Sequence, residues 1–272
     1  MWRRSSRAGK PPLVQALIWP VISIRVRVAQ SAFSGSSSDS LQDPLLLKAF
    51  YADGVANLWR PGMTIIDKLA SSLNRRDEVP NMELATQIVD KNDEEAVEEL
   101  VKNLANKDQD IQSDCIKVLY EVGERKPALI AQYAGEFSSL LDSENNRLVW
   151  GAMSALDQIA LANPKTIYGM LTKIVRSGEK GSVITRDHAV GILIKLASLP
   201  QYREKVIPLL IGQLKRSPTN QLPMYAENLV PIVTEKNRAA FVKALTSRLD
   251  DIEKAAKRKR VERVIAKLNK SV

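Results

Sequence analysis

Apolar residues along this chain recur with two periods, a short helical one and a long one of 37 residues. Within one segment, Cys115, Leu119 and Val122 are three or four residues apart, which is the spacing of one face of an α-helix. The same three positions recur every 37 residues as Ala152, Leu156 and Ile159, then Ala189, Leu193 and Leu196, then Ala226, Val230 and Val233. A fixed long period with one apolar helix face in each repeat predicts an α-solenoid.

Each repeat is predicted to contain two helices, helix A and helix B. In the first clear repeat, apolar spacing predicts helix A over 93–106 and helix B over 111–123, with the polar turn 107–110 between them. The second repeat shifts every landmark by 37 residues. In the third repeat we expect a longer turn around 178–182, and in the fourth, spanning 204–235, a turn flanked by prolines.

Two further helix pairs are expected to close the ends of the array. The leading pair is predicted over 64–73, with Thr64 as the N-cap, and 82–90. The last pair is predicted over 237–249 and 251–268. Its second helix is strongly polar, as expected for a capping helix with one face in water.

The helix B sequences resemble those of the HEAT-repeat family, an armadillo-like class. In that family helix B begins with an apolar residue and Arg, continues with Ala and Leu, and ends with an apolar residue and Gly. Matching residues are Ile111, Cys115, Leu119 and Val122–Gly123, then Leu148, Ala152, Leu156 and Ile159, then Arg186 and Ala189. Only the third repeat keeps the Arg, and Leu222–Pro223 replace the apolar–Arg pair in the fourth. Over roughly residues 64–270, the resemblance implies an all-α, right-handed α-solenoid of about five HEAT-like helix pairs with polar capping helices, and no activity.

Residues 1–62 differ from the repeats and are excluded from the predicted fold, which leaves 63–272 as the solenoid. Arginines and a serine-rich patch flank an apolar run over 13–24, and no acidic residue precedes Asp39. This pattern fits a mitochondrial-type presequence, a secretory signal, or a disordered extension from a start codon upstream of Met63.

The chain carries a formal net charge of +9, but the excess lies in its terminal segments. Residues 63–249 contain 24 basic and 24 acidic side chains, which weakens the nucleic-acid function that the overall charge would favour. A single Cys cannot form an internal disulfide, so we expect the cytoplasm, or the mitochondrial matrix if 1–62 is a presequence. No apolar stretch of the sequence has the length and low charge of a membrane span.

The sequence contains no recognisable catalytic pattern, and we expect a protein that is not an enzyme. The single His, His188, is beside the apolar face of a helix B, and Cys115 occupies the small-residue position of its repeat. One Cys and one His cannot build the usual zinc site, and Gly178–Gly181 lacks the spacing of a phosphate-binding loop. No metal and no cofactor are therefore expected.

A binding surface is predicted where the B helices line the inner, concave side of the solenoid. Positions two before and two after the small-residue position of each repeat point about 180° from the apolar face. The candidates for partner binding are Lys117, Trp150, Ser154, Asp187, Met224 and Asn228. An exposed aromatic ring at such a centre is a typical binding anchor, and the alternative is that Trp150 folds over a neighbouring turn.

The favoured function is therefore a scaffold, expected to be monomeric, that binds a protein or peptide on its concave face. The alternative is a nucleic-acid-associated protein, similar to helical DNA glycosylases or binding anions through its basic C-terminal helix. The anion-binding candidates are Lys254, Lys257, Arg258, Lys259, Arg260 and Arg263. Aromatic residues that would stack on bases are missing from that segment. A third class, HEAT-like lyases that act on bilins, offers no pattern that can be transferred to this chain.

Overall fold

The computed structural model describes residues 64–270, and all regular structure in this range is helical. The α-helices are α1 Val79–Lys91, α2 Glu94–Lys102, α3 Gln109–Arg125, α4 Ala134–Leu140, α5 Asn146–Gln158, α6 Pro164–Gly169, α7 Leu171–Lys180, α8 Val183–Ser198, α9 Pro200–Arg216, α10 Leu222–Leu229, α11 Glu235–Thr246 and α12 Ala255–Lys270. Short turns and single 3-10 turns join them.

The helices form two rows, as expected for a solenoid. The B row consists of α1, α3, α5, α8, α10 and α12, each packed against the next, and the A row contains α2, α4, α6–α7, α9 and α11. Side-chain hydrogen bonds join equivalent parts of neighbouring repeats. Lys126 donates to Asn92, 34 residues earlier, and Arg260 donates to Glu227, 33 residues earlier. The predicted repeat architecture is therefore confirmed.

The apolar positions that defined the repeat form the core. The small-residue positions Cys115, Ala152, Ala189 and Ala226 are 4% exposed or less. Only Val230 and Val233 are half-buried, because α10 ends at Leu229 and a 3-10 turn, Val230–Ile232, replaces its last turn. Burial of apolar side chains between neighbouring repeats, at roughly 25 cal/mol per Å2, holds the stack together.

The starts of the B helices repeat with the same period as the core. Asp108, Asn145 and Ser182 are 37 residues apart, and each is an N-cap whose side chain accepts a hydrogen bond from a backbone N–H in the first turn of α3, α5 or α8. Thr219 is the next position in this series, but α10 begins three residues later without a side-chain cap. The fourth repeat therefore departs from the pattern at both ends of its helix B.

The structure corrects two local predictions. In the leading segment 64–73 the only helical turn is the 3-10 turn Ile66–Lys68, and Thr64 is not an N-cap. The backbone N–H of Thr64 instead donates to Asp67 Oδ2 at 2.8 Å, so the side chain of Asp67 within the turn holds Thr64, which precedes the turn. In the third repeat α7 continues through Gly178 to Lys180, so the turn is short, and Gly178 is a packing glycine against Ala189.

Predictions for residues 1–62 lie outside the described residues, and the boundary at 62/63 stays a prediction. Within the described range, no helix is both long and apolar enough to cross a membrane.

Candidate functional site

The six residues predicted for partner binding all lie on the B row, but they differ in accessibility. Met224 and Asn228 are exposed, and Trp150 and Asp187 are half-buried. Lys117 and Ser154 are buried, with 7% and 5% of their surface exposed, so the prediction that they face open solvent is wrong. Both residues lie on helices, α3 and α5, that pack against a B helix on either side.

Lys117 is the centre of a charge cluster that joins three B helices. Its Nζ lies 2.9 Å from Glu78 Oε2, just before α1, and 3.0 Å from Glu121 Oε1 on α3. Glu78 also pairs with Arg147 on α5 at 3.2 Å, and Glu121 pairs with Arg125 at 2.7 Å. We refer to these five residues as the inner charge cluster.

Two members of the inner charge cluster, Lys117 and Glu121, are held in the charged state by their neighbours. Burial lowers the pKa of Lys117, but the carboxylates of Glu78 and Glu121 and the Tyr120 hydroxyl outweigh it and raise that pKa above its usual value. Burial likewise raises the pKa of Glu121, but hydrogen bonds from Arg125 and Lys117 outweigh it and bring that pKa below its usual value. Lys117 and Glu121 are therefore both charged at neutral pH.

The lowered pKa of Glu121 predicts a specific loss of stability in acid. A carboxyl whose pKa falls on folding stabilises the protein above the unfolded pKa, near 4.5, and loses that contribution as the pH falls through the folded value. We therefore expect Glu121→Gln to melt below wild type at neutral pH, and the gap between their melting temperatures to close as the pH falls below about 4. Thermal melts across this range measure the gap, with the exposed Glu124→Gln as control. A gap that does not change with pH would contradict the prediction.

An aromatic pair lies on the inner charge cluster. The ring of Trp150 on α5 is 5.7 Å from the ring of Tyr120 on α3, with an interplanar angle of 51°. Lys117 Nζ is 4.9 Å from the centre of the Tyr120 ring, within the range of a cation–π contact. Trp150 therefore joins two B helices and remains half-buried.

A second polar junction joins α5 to α8. His188 Nδ1 is 2.9 Å from Asp157 Oδ2. Lys195 Nζ donates a hydrogen bond to the backbone oxygen of Asp157 at 2.7 Å. It also lies 3.0 Å from Asp157 Oδ1, where it forms an ion pair but no hydrogen bond. Gly191 packs on the same carboxylate, since a Cβ there would lie 3.0 Å from both carboxylate oxygens. His188 therefore acts in the structure as an inter-repeat contact.

Asp187, predicted to bind a partner, also makes an inter-repeat contact. One of its carboxylate oxygens accepts a hydrogen bond from the hydroxyl of Tyr225 on α10. The Tyr225 side chain is almost completely buried, and burial together with the Asp187 carboxylate raises the pKa of its hydroxyl well above the usual value. Asp187 thus contributes to the junction between α8 and α10.

The six anion-binding candidates at the C-terminus divide into two groups. Lys257 donates to Asn220 Oδ1 at 2.6 Å, and Arg260 pairs with Glu227 at 2.6 Å, so both tie α12 to the preceding repeat. Arg258 is half-buried and donates to the backbone oxygen of Ile252 at 3.4 Å. The remaining three, Lys254, Lys259 and Arg263, are exposed.

The electrically neutral middle of the chain conceals a strong asymmetry. Residues 64–164 contain 10 basic and 19 acidic side chains, a net charge of −9, whereas residues 165–270 contain 22 and 9, a net charge of +13. The charge summed over residues 63–249 is zero because the acidic and basic parts cancel, whereas the charge summed residue by residue along the sequence shows them separately. The described solenoid therefore has an acidic first half and a basic second half.

The environment of Cys115 makes its thiol unreactive. Cys115 is fully buried, and burial, with a smaller contribution from Asp114, raises the pKa of its thiol to about 12, so the reactive thiolate does not form at neutral pH. Within 64–270, no group of three or more His, Cys, Asp and Glu side chains is placed to hold a metal ion.

Solved structures of designed repeat proteins share this fold. A designed armadillo repeat protein in complex with the peptide (KR)4 aligns with a TM-score of 0.54 at 15% identity, covering 68% of this chain and 85% of that one. Computationally designed armadillo repeat proteins for modular peptide recognition align with a TM-score of 0.54 at 13% identity, covering 75% and 98%. An engineered protein aligns with a TM-score of 0.53 at 20% identity, covering 76% and 97%. No family model and no curated protein matches the sequence.

These similarities and the two rows of helices define the class of protein. The described chain is a helical-repeat solenoid with an armadillo-like, HEAT-like architecture. At such low identity the alignments establish the fold alone.

Proposed function

We propose that this protein is a non-enzymatic scaffold that binds a peptide or an extended protein segment along its B row. The Tyr120–Trp150 pair is the observation that supports this function most directly. The two rings belong to neighbouring B helices, and Lys117 of the inner charge cluster contacts the Tyr120 ring. Rigid aromatic rings that are partly exposed are typical anchors at binding hot spots.

Met224 on α10 provides a second anchor on the same row. It occupies the position equivalent to Trp150 two repeats later, and 36% of its surface is exposed. Packed helices are 8–10 Å apart, so two steps along the row span about 16–20 Å. An extended chain advances about 3.3 Å per residue, so the two anchors would contact side chains about five or six residues apart.

Selection of binding peptides tests this function. A peptide library displayed on phage is selected on the immobilised full chain, and the dissociation constants of the selected peptides are measured by fluorescence anisotropy. We expect peptides with two apolar residues about five or six positions apart. Trp150→Ala should raise their Kd about 30-fold, the effect of losing a hot spot of about 2 kcal/mol.

Leu161→Ala is the matched control, because Leu161 is 53% exposed in the turn after α5, outside the inner positions. It should leave the Kd unchanged. Circular dichroism must show the same helix content in both variants. Selection of no peptide, or equal effects of the two substitutions, would contradict the proposal.

The basic second half favours an anionic ligand as a second candidate. Lys254, Lys259 and Arg263 are exposed, and residues 165–270 carry a net charge of +13. Binding through these side chains would be electrostatic and would weaken steeply with salt. Titration of the full chain with labelled duplex DNA and RNA at two salt concentrations tests it. Affinity that is insensitive to neutralising the three side chains would exclude this surface.

A further inference from the structure

The first helix of the described solenoid lacks the polar outer face expected of a cap. On the side of α1 that faces away from the core, Val79 and Met82 are 45% and 42% exposed. Glu83 and Asp90 are exposed on the same side, and neither forms an ion pair with another described residue. We call Val79, Met82, Glu83, Thr86 and Asp90 the acidic end.

The last helix pair has the opposite character. A groove of about 740 Å3 lies between α11 and the end of α12, with Ala239 and Val242 among its lining residues. On α12, Lys259, Arg263 and Lys270 are exposed on the side opposite the buried Val261, Val264 and Leu268, and Glu262 and Asn269 are exposed beside them. We call Lys259, Arg263, Ala266 and Lys270, together with this groove, the basic end.

The two ends match in spacing as well as in charge. The residues Val79, Glu83, Thr86 and Asp90 on α1 have the same i, i+4, i+7, i+11 spacing as Lys259, Arg263, Ala266 and Lys270 on α12. Consecutive B helices run in the same direction, so α1 of another copy could follow α12 as the next member of the row. In that parallel arrangement, acidic positions on one helix lie opposite basic positions on the other.

The helix dipoles add to this complementarity. The first turn of α12 contains no acidic residue, although the N-terminus of a helix favours negative charge, and the exposed Lys259 follows that turn. Asp90 lies in the last turn of α1, where positive charge is favoured. Each end therefore carries charges that a neighbour of opposite sign would stabilise.

We propose that copies of this chain associate end to end, with the basic end of one copy on the acidic end of the next. Such a contact is heterologous, so it leaves one free end of each kind and extends into oligomers. It continues the B row from one copy to the next and leaves the inner side open. It does not depend on the peptide-binding function, and it departs from the monomer expected from the sequence.

Sedimentation velocity of the full chain tests the association. We expect the weight-average sedimentation coefficient to rise with protein concentration at about 0.05 M salt, and to rise much less at about 0.5 M, where charges are screened within a few Å. A chain that stays monomeric from micromolar to hundred-micromolar concentration at low salt would overturn the proposal.

Charge reversal at each end provides the specific test. Glu83→Lys with Asp90→Lys alters the acidic end, and Lys259→Glu with Arg263→Glu alters the basic end. Each double variant should raise the apparent Kd of self-association at least about tenfold. Mixed at equal ratio they retain one unaltered acidic and one unaltered basic end, so heterodimers should form.

Glu136→Lys with Glu144→Lys is the matched control, since both residues are exposed and the change in net charge equals that at the acidic end. It should associate as wild type does. Equal loss of association in this control, or a mixture that stays monomeric, would overturn the end-to-end contact.

Discussion

Lys117→Met is expected to lower the free energy of unfolding by about 3 kcal/mol, the lower end of the range for breaking a buried ion pair. The Lys117 side chain is 9% exposed and Glu121 is 11% exposed, so the substitution leaves a buried carboxylate with Arg125 as its remaining ionic partner. Methionine keeps most of the volume of the aliphatic stem, so the loss is mainly electrostatic. Glu78 is 48% exposed and regains water, which limits the effect.

The surface pair Lys102–Glu98 gives the control for this prediction. Its atoms are 2.6 Å apart with the same i, i+4 spacing as Lys117 and Glu121, but the side chains are 70% and 55% exposed. Lys102→Met should leave the free energy of unfolding almost unchanged, because water screens an exposed pair. Urea denaturation of both variants measures the difference. Similar losses from the two substitutions would mean that the inner charge cluster does not stabilise the solenoid.

Lys117→Met also connects the stability of the solenoid with the proposed function. Lys117 lies over the ring of Tyr120, which packs against Trp150, so the loss of Lys117 should also loosen the aromatic pair. A change in Trp150 fluorescence below the unfolding transition would report this loosening, once the contribution of the tryptophans in residues 1–62 has been subtracted with the Trp150→Ala variant.

Local chemistry at repeated positions explains how much of the fold was predictable. The apolar face at Cys115, Leu119 and Val122 specifies both the helix and its partner surface, and repetition at 37 residues makes the signal strong. The N-caps Asp108, Asn145 and Ser182 add a second periodic signal at the helix starts. The leading segment 64–73 has no equivalent repeat, and there the helix prediction was wrong.

The site was less predictable. A helical wheel gives the direction in which a side chain leaves its helix, but it does not show which residues of neighbouring helices cover that side chain. The wheel placed Lys117 opposite the core, but Glu78 precedes α1 and lies 39 residues earlier, so only the packed row brings the two together. A periodic signal was nevertheless present. Tyr120 and Asp157, which the prediction omitted, are 37 residues apart and occupy the same inner position of successive repeats.

Gly178 shows the opposite limit, where a residue type favours the wrong structure. Glycine followed by Glu, Lys and Gly is typical of a turn, and this pattern predicted a long turn at 178–182. In the structure Gly178 is helical and buried in α7, and the absence of a side chain lets α7 approach α8 closely. The sequence alone does not distinguish a glycine needed for conformation from one needed for space.

Gly178→Ala is therefore expected to destabilise the protein by about 2 kcal/mol, as overpacking of a close helix contact does. A Cβ at this position would lie 2.6 Å from the Cβ of Ala189, closer than two carbon atoms can approach, and neither atom can rotate away. Helix propensity works in the other direction, since Ala is favoured over Gly within a helix by about 1 kcal/mol. A measured loss therefore reports the steric conflict between α7 and α8.

Gly135→Ala on α4 separates these two effects, because nothing outside the adjacent residues and the backbone of its own helix lies within 4 Å of a Cβ placed there. It should raise the free energy of unfolding by up to about 1 kcal/mol, the gain from replacing a helical Gly without a clash. Ala189→Gly supplies the second substitution of a double-mutant cycle. It should lower the free energy of unfolding less in the Gly178→Ala background than in wild type, because it removes the opposing methyl group. Additive effects of the two substitutions would show that the chain does not need a glycine at position 178 for the contact between α7 and α8.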